Sequence, residues 1–395
     1  MTAPRACADE LRARMVQRLA ANTYLAQWAQ AWTPWQPVLA AVPRHRYLPD
    51  TVWFDNGGAG PALLPLRRSD DPDRWLGLAY CDEAVVTQVD DGRPAGPDLA
   101  GRIPTSSVSS PIIVAVMLAA LDTSPGQRVC EIGTGTGYNA ALLAHRLGVD
   151  QVTSIEVDPE VAKHARAALS DTGYGEVAVV TADGALGHPP GAPYDRIIAT
   201  AAVHRIPYPW VEQTRPGGRI LLPWANSYAG ALVALSVDAH RGASGTVVAE
   251  ASFMPLRDQR EWRGCVRSVV GADEDRGELS ATRLHPHWVC ADQGARFAIG
   301  QRVPRCQWRY WPYDEQDGHA VLWLLDFESR SWAKLTHTTP DASDGEFPVR
   351  QHGPRRLWTE VDAAHRWWVD HGKPAADHWR FCVTADHQRI ELIGA

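Results

Sequence analysis

Apolar residues recur at helical spacing near the start of the chain, at Leu11, Met15, Val16, Leu19 and Leu25, and predict helix within residues 8–32. The stretch 51–104 is rich in Gly, Pro and Asp and holds one strand-like run, Ala84–Val89. It reads as a long elaborated loop region with short strands. From residue 105 the texture changes. Pro111–Leu121 is an apolar helix candidate, ended by Ser124-Pro125-Gly126. Short apolar runs and amphipathic runs then alternate: strand Arg128–Ile132, helix Tyr138–Leu147 stopped by Gly148, strand Gln151–Glu156, helix Pro159–Leu169 and strand Val177–Thr181. Strand Tyr194–Thr200, a short helix Tyr208–Gln213 and strands Arg219–Pro223 and Ala231–Val237 follow. This alternation predicts an α/β core, a doubly wound and mostly parallel sheet with helices on both faces. Right-handed crossovers then bring the C-terminal ends of the strands to one edge, where a ligand sits in the loops.

After about residue 258 the pattern shifts again. Ten of the 17 tryptophans lie in 258–395. Alternating runs at His319–Phe327 and Trp379–Thr384 predict strands, and Leu357–His371 predicts one helix with Trp358, Val361, His365 and Trp368 on one side. The chain therefore divides into an N-terminal helical segment with a substrate-side elaboration (1–104), an α/β core (105–257) and an α+β C-terminal domain (258–395). Most of the tail's tryptophans are expected in its core, a few on a peptide-docking surface.

Composition narrows the function classes. A chain of 395 residues with 45% hydrophobic and 22% charged residues and a formal charge of -7 fits an ordinary globular protein. With no basic surplus, nucleic acid is not expected as a partner. Met1–Ala20 does not read as a signal peptide, and no apolar run approaches the roughly 18 residues of a membrane span. The seven cysteines, at 7, 81, 130, 265, 290, 306 and 382, form no CxxC pair. They read as free thiols in a reducing cytoplasm, with neither a disulfide frame nor a metal site.

The chemistry concentrates in Val129-Cys130-Glu131-Ile132-Gly133-Thr134-Gly135-Thr136-Gly137-Tyr138. A buried strand runs into three alternate glycines and a helix start, which lets backbone and free N–H groups approach a ligand. Gly135, Gly137 and Ala140 also fit the dinucleotide pattern G-x-G-x-x-A, and Glu156 ends the second strand, where either nucleotide class grips ribose hydroxyls. Three features favour S-adenosylmethionine over a nicotinamide cofactor. Glu131 stands just before the glycines, Asp183-Gly184 follows the third strand, and Pro216-Gly217-Gly218 precedes a late hairpin. The expected fold is thus a class I (Rossmann-like) S-adenosylmethionine methyltransferase.

Glu131–Leu143 with Arg196–Pro223 resembles the protein-L-isoaspartate O-methyltransferase family. The likeness includes Val42-Pro43-Arg44-His45-Arg46-Tyr47-Leu48-Pro49, Val108-Ser109-Ser110-Pro111 before the first core helix, and Phe253-Met254-Pro255-Leu256, like the strand that closes the family's core. It covers about 42–50 and 80–257. Departures are Ser106-Ser107 where the family has Gln-Thr, Arg257 where a Thr follows Pro-Leu, longer segments at 51–79 and 90–104, and a tryptophan-rich tail that plain repair enzymes lack. Arg355-Arg356-Leu357-Trp358, Trp367-Trp368 and Arg380-Phe381 are similar to the C-terminal region of methyltransferases that accompany ATP-grasp peptide maturases.

The resemblance implies roles. Ser107, Val108, Ser110, Glu131, Gly133, Thr134, Gly135, Thr136, Gly137, Glu156, Val157, Asp183 and Gly184 would hold S-adenosylmethionine. Ser109 would orient the substrate carboxylate, although it also stands where the helix at Pro111 needs an N-cap. Thr200, Ala201, His204, Arg257 and His45 would face the substrate. The narrower reading makes that substrate an Asp carboxylate of an acidic precursor peptide already ester-cyclised by an ATP-grasp ligase (a graspetide), the methyl ester then closing to an aspartimide. The alternative is an isoaspartyl residue in a damaged protein. A peptide-binding scaffold without catalysis would not need the full glycine and acid set. A nucleic-acid methyltransferase would carry an Asn-Pro-Pro-Tyr type pocket where Ala199-Thr200-Ala201-Ala202 stands. Oligomeric state is left open.

Overall fold

A computed structural model describes residues 7–55, 63–94, 97–260, 264–271, 274–314, 318–338 and 345–394. The helical region expected over 8–32 is divided into three helices, Ala8–Ala20, Thr23–Ala26 and Ala29–Trp32. Asn22 causes the break, because its side chain accepts the N–H groups of Tyr24 (2.9 Å) and Leu25 (3.3 Å) and starts a new helix. The region expected as a long loop with short strands joins those strands into a four-stranded sheet of β1 (Thr51–Asp55), β2 (Leu63–Arg67), β3 (Val85–Val89) and β4 (Pro104–Val108), in the order β2-β1-β3-β4. β3 and β4 pair antiparallel, Val85 opposite Val108 and Val86 opposite Ser107. β4 runs directly into Ser109-Ser110 and the helix Pro111–Leu121. That helix is apolar all round and accordingly buried over most of its surface.

The core strands are β5 (Val129–Ile132), β6 (Val152–Glu156), β7 (Ala178–Thr181), β8 (Tyr194–Ala199), β9 (Thr214–Ala225), β10 (Gly230–Val237) and β11 (Ala243–Ala249). β5 pairs parallel with β6 on one side, Val129 opposite Val152, and with β8 on the other, Val129 opposite Arg196. β6 pairs with β7 and β8 with β9, both parallel. The strand order therefore reverses between β5 and β8, and a doubly wound sheet opens its ligand crevice at the C-terminal ends flanking such a switch. All four residues of β5 are buried, as a strand covered on both faces requires.

By packing, the chain divides into two units: Met1–Pro223 with Val233–Arg257 and Phe381–Arg389, and Trp224–Leu232 with Asp258–Arg380 and Ile390–Ala395. The 1–104 segment groups with the first unit. The second unit holds β12 (Glu278–Thr282), β13 (Gln307–Asp314), β14 (His319–Asp326), β15 (Ser331–His337) and β16 (Phe347–His352), in the antiparallel order β12-β16-β15-β14-β13. The helix Leu357–Asp370 buries Trp358, Val361, His365 and Trp368, the face read from its spacing. Two late strands, β17 (Trp379–Val383) and β18 (Gln388–Leu392), extend the core sheet to nine strands, β18-β17-β11-β10-β9-β8-β5-β6-β7. No helix among the described residues is long and apolar enough to cross a membrane.

Candidate functional site

The glycine turn lies at the switch point. After β5 the Gly133 and Thr134 N–H groups both donate to the Ile155 carbonyl of β6, at 2.8 and 3.1 Å. Gly133 sits at φ +93°, and a Cβ there would fall 2.7 Å from Thr200 Oγ1. Only glycine permits that backbone beside the end of β8. The Thr200 hydroxyl donates to the carbonyls of Gly133 (2.5 Å) and Ile132 (3.2 Å), so it ties the two strand ends together. Thr136 and Gly135 are partly exposed in the turn, while Thr134 and Gly137 are buried. The Thr134 hydroxyl is bonded to Ser154 Oγ at 2.6 Å.

The two acids of this region have different duties. Glu131, expected to touch the cofactor, is fully buried. Its carboxyl accepts from Asn139 Nδ2 at 2.7 Å and from the Ser154 hydroxyl, so it braces β5 against β6 and the following helix from below. Burial pushes its pKa up to about 7, more than those two hydrogen bonds offset. Glu156 reaches into the turn itself: Oε2 accepts the Gly135 N–H at 2.9 Å and Oε1 the Asp158 N–H at 3.1 Å. Burial raises its pKa also, against those same two bonds. Val157 follows it and is 41% exposed. On the next loop Asp183 is exposed, with one oxygen capping the Ala185 N–H at 2.9 Å, and Leu186 is 61% exposed. Gly184 is buried against Ile132. Leu186 was not singled out by sequence, though an apolar residue in a loop directly after Asp-Gly-Ala is a readable signal.

The third side of the site comes from β4. A Cβ on Gly135 would lie 3.6 Å from the Ser107 carbonyl oxygen and 3.8 Å from Ser106 Oγ, so the Ser106–Ser107 main chain passes close to the glycine turn. Val108 is buried. Ser110, not Ser109, caps the helix at Pro111, its hydroxyl accepting the Ile113 N–H at 3.5 Å. The Ser109 hydroxyl is partly exposed and engaged by no protein group among the described residues. The Val108–Ser109 main chain is held by Arg44, a buried residue that sequence reading passed over because it sits in a run of basic residues.

The other substrate-side expectations separate. Ala201 is partly exposed and His204 exposed on the loop after β8. His45 is half-buried with Nδ1 bonded to Tyr80 Oη at 2.7 Å, and burial together with Arg46, Arg68 and Arg12 lowers its pKa. Its Nδ1 is thus engaged with a phenol, and its surroundings favour the neutral ring. Arg257 is bonded to Asp158 (3.1 Å) and Asp91 (3.4 Å), so its charge is met inside the protein. Burial works against the Asp158 anion, but hydrogen bonds from Gln88 and Arg257 hold its carboxyl below the usual range. Phe253–Leu256 is no regular strand: a single bridge joins Pro255 to Ala202, whose N–H donates to Met254 at 2.8 Å. Among the described residues no group of three or more His, Cys, Asp or Glu could hold a metal ion.

These features fit a nucleoside sulfonium such as S-adenosylmethionine. The turn has room only without a Cβ at Gly133, a carboxylate faces it at the end of β6, and two exposed apolar side chains, Val157 and Leu186, flank the loops where a purine would lie. The family model for protein-L-isoaspartate (D-aspartate) O-methyltransferase matches residues 80–261. Protein-L-isoaspartate O-methyltransferase 2 of Anaeromyxobacter sp. (strain Fw109-5) is 37% identical over 186 residues, which is 47% of this chain and 70% of that protein. The chain belongs to the protein-L-isoaspartate O-methyltransferase family. The protein-L-isoaspartate O-methyltransferase of Pyrococcus horikoshii is 41% identical over 151 residues, 38% of this chain and 61% of its own length, so this family member spans only part of such relatives. A solved structure of a protein-L-isoaspartate O-methyltransferase superposes with TM-score 0.52 over 96% of this chain and 99% of its own, at 18% identity. That is a likeness of fold, and the first unit of this family member has the class I methyltransferase fold.

Proposed function

We propose that this family member is an S-adenosylmethionine-dependent carboxyl O-methyltransferase, and that its acceptor is the carboxylate of an isoaspartyl residue in a peptide or protein. The observation that carries the reading is the meeting of β4 with the glycine turn. It brings the Ser106–Ser107 main chain beside the turn, and the uncommitted, partly exposed Ser109 hydroxyl follows two residues on, where it would meet an incoming carboxylate. Family membership supports the substrate class.

The chemistry asks little of the protein. When bound, S-adenosylmethionine supplies an electrophilic methyl on a cationic sulfur. A carboxylate is ionised near neutral pH and attacks without a general base. What remains is alignment and exclusion of water. Glu156 and the Gly133–Gly137 turn would hold the nucleoside, with Val157 and Leu186 covering its base and Asp183 offering an acceptor oxygen. Ser109 would donate a hydrogen bond to the incoming carboxylate and fix its attack line. Glu131 moves no proton to substrate in this scheme, since it is sealed beneath the turn.

The narrower reading, an aspartyl carboxylate in a precursor peptide modified by an ATP-grasp ligase, draws on Arg355-Arg356-Leu357-Trp358, Trp367-Trp368 and Arg380-Phe381, of which Arg356 and Arg380 are exposed. In the second unit Arg355 is tied to Asp326 (2.9 Å) and to Glu360, and Trp358 and Trp368 are buried. Trp367 stacks on His371 at 4.0 Å. Phe381 is buried in the first unit. Most of those side chains serve the fold, and the family relatives support the isoaspartyl reading. The test is direct. Purified protein is incubated with S-adenosylmethionine and paired peptides that differ only in an isoaspartyl or aspartyl linkage, and products are read by mass. A methyl ester on the isoaspartyl peptide, decaying to succinimide, is expected. Silence on it, with transfer to an ester-cyclised acidic peptide, would reinstate the narrower substrate.

A further inference from the structure

Arg44 is fully buried, yet an acid is absent from its surroundings as the structure describes them. Its guanidinium is satisfied by main-chain carbonyls alone: Nε donates to Ala79 at 2.7 Å, Nη1 to Ser109 at 2.8 Å and Nη2 to Val108 at 3.4 Å. Its Cζ lies 5.4 Å from the ring centroid of Tyr138, the first residue of the helix that follows the glycine turn. The titratable groups that face it are Tyr138, Cys81 and Tyr80, and burial moves both phenols still further from ionising near neutral pH. Burial lowers the guanidinium to about 10, still cationic at neutral pH. The next residues add positive charge: His45 feels Arg46, Arg68 and Arg12, with Asp9 opposing, and Asp9 is itself paired to Arg12 at 2.9 Å.

A buried cation without a counter-ion is expensive, and an apolar residue with the same shape would cost the fold less. Carbonyl dipoles solvate the guanidinium without neutralising it, so a positive charge persists one carbonyl away from Ser109. We propose that Arg44 is a positioning residue for the acceptor: it fixes the Val108–Ser109 main chain, and its uncompensated charge draws the substrate carboxylate to Ser109 and keeps it ionised there. The inference rests on the carboxyl methyltransferase reading and extends it to how the acceptor's charge is recognised. The same guanidinium touches the β4 shoulder and the start of the glycine-turn helix, so it also sets acceptor side against donor side.

The test separates charge from scaffolding. Arg44→Lys keeps a cation but replaces three separated donor nitrogens by one ammonium, which does not reproduce the fork's reach to the three carbonyls; Arg44→Met keeps bulk without charge. The acidic limb of kcat against pH reports the substrate carboxyl in the complex. We expect Arg44→Lys to lower kcat and leave that limb in place, and Arg44→Met to move it up by about one unit and raise KM about ten-fold. S-adenosylhomocysteine affinity, measured by calorimetry, should change less than about two-fold in both. A lower kcat with an unmoved limb in Arg44→Met would reduce Arg44 to scaffolding and overturn the proposal. Should the variants not fold, the unaltered protein answers. With S-adenosylhomocysteine bound, an isoaspartyl peptide should bind at least about ten-fold more tightly than its carboxamide counterpart. Equal affinities, with methyl transfer intact, would overturn the charge role alone. Absence of methyl transfer to any isoaspartyl peptide would sink the functional reading itself.

Discussion

Ser109 and Glu131 are polar residues in opposite surroundings, the one partly exposed and the other buried and held by two hydrogen bonds. Because Ser110 does the capping, Ser109→Ala should leave folding and S-adenosylhomocysteine affinity unchanged and lower kcat by about ten- to a hundred-fold, the range of one well-placed hydrogen bond. Unchanged turnover on an isoaspartyl peptide would remove its assignment. Glu131 makes a prediction about stability. Its folded pKa of about 7 lies above the ordinary 4.5, so the native state keeps a proton that the unfolded chain has released. Its contribution is complete below the unfolded value and is lost as pH rises through 7. Relative to Glu131→Gln, the native protein should therefore lose on the order of 3 kcal/mol between pH 4.5 and 8, followed by urea denaturation. Parallel stability curves for the two proteins would show that the carboxyl is not held as described.

At the scale of elements, the β5 turn concentrates the constraint. Gly133→Ala forces a Cβ toward Thr200 Oγ1 and an unfavourable φ of +93°. A loss of about 2–3 kcal/mol in stability is expected, with donor affinity reduced at least ten-fold; thermal melting and calorimetry would read both. This part of the fold was legible because strands buried on both faces read as short apolar runs and because glycines at alternate positions have few other uses. Other parts were not. Asn22 interrupts a continuous apolar spacing through a side-chain cap that periodicity does not register. β1 and β2 carry no alternation strong enough to stand alone, and they become strands by pairing Thr51 with Arg67 through Asp55 with Leu63. In β13, Pro312 falls where the register with β14 shifts between Trp311 and Asp314, which masked that strand. The site followed the same logic. An acid before the glycines looks alike in sequence whether it faces the ligand or, like Glu131, the floor beneath it. Arg257 and His45 looked available because their partners Asp91, Asp158 and Tyr80 are distant in sequence.

For the whole molecule, each unit has its own fastening. In the second, Asp326 is almost fully buried and is held by Arg355, with Ser329 donating at 2.8 Å. Removing Arg355 leaves that carboxylate without its main counter-charge, so Arg355→Ala should cost about 3 kcal/mol. Hydrogen exchange should show faster opening of β14 to β16 and unchanged protection of β5 to β8; equal loss in both would contradict it. The first unit is fastened differently. Phe381–Arg389, through β17 and β18, belongs to its sheet, although the five strands of the second unit intervene in the chain. On the ribosome, which releases the chain in order, the nascent first unit must therefore wait with β11 as a bare margin while the 129 residues between Ala249 and Trp379 are translated. A fragment engineered to stop near residue 257 would keep that margin for good, and its tendency to self-associate should vanish when a peptide spanning 379–392 is supplied.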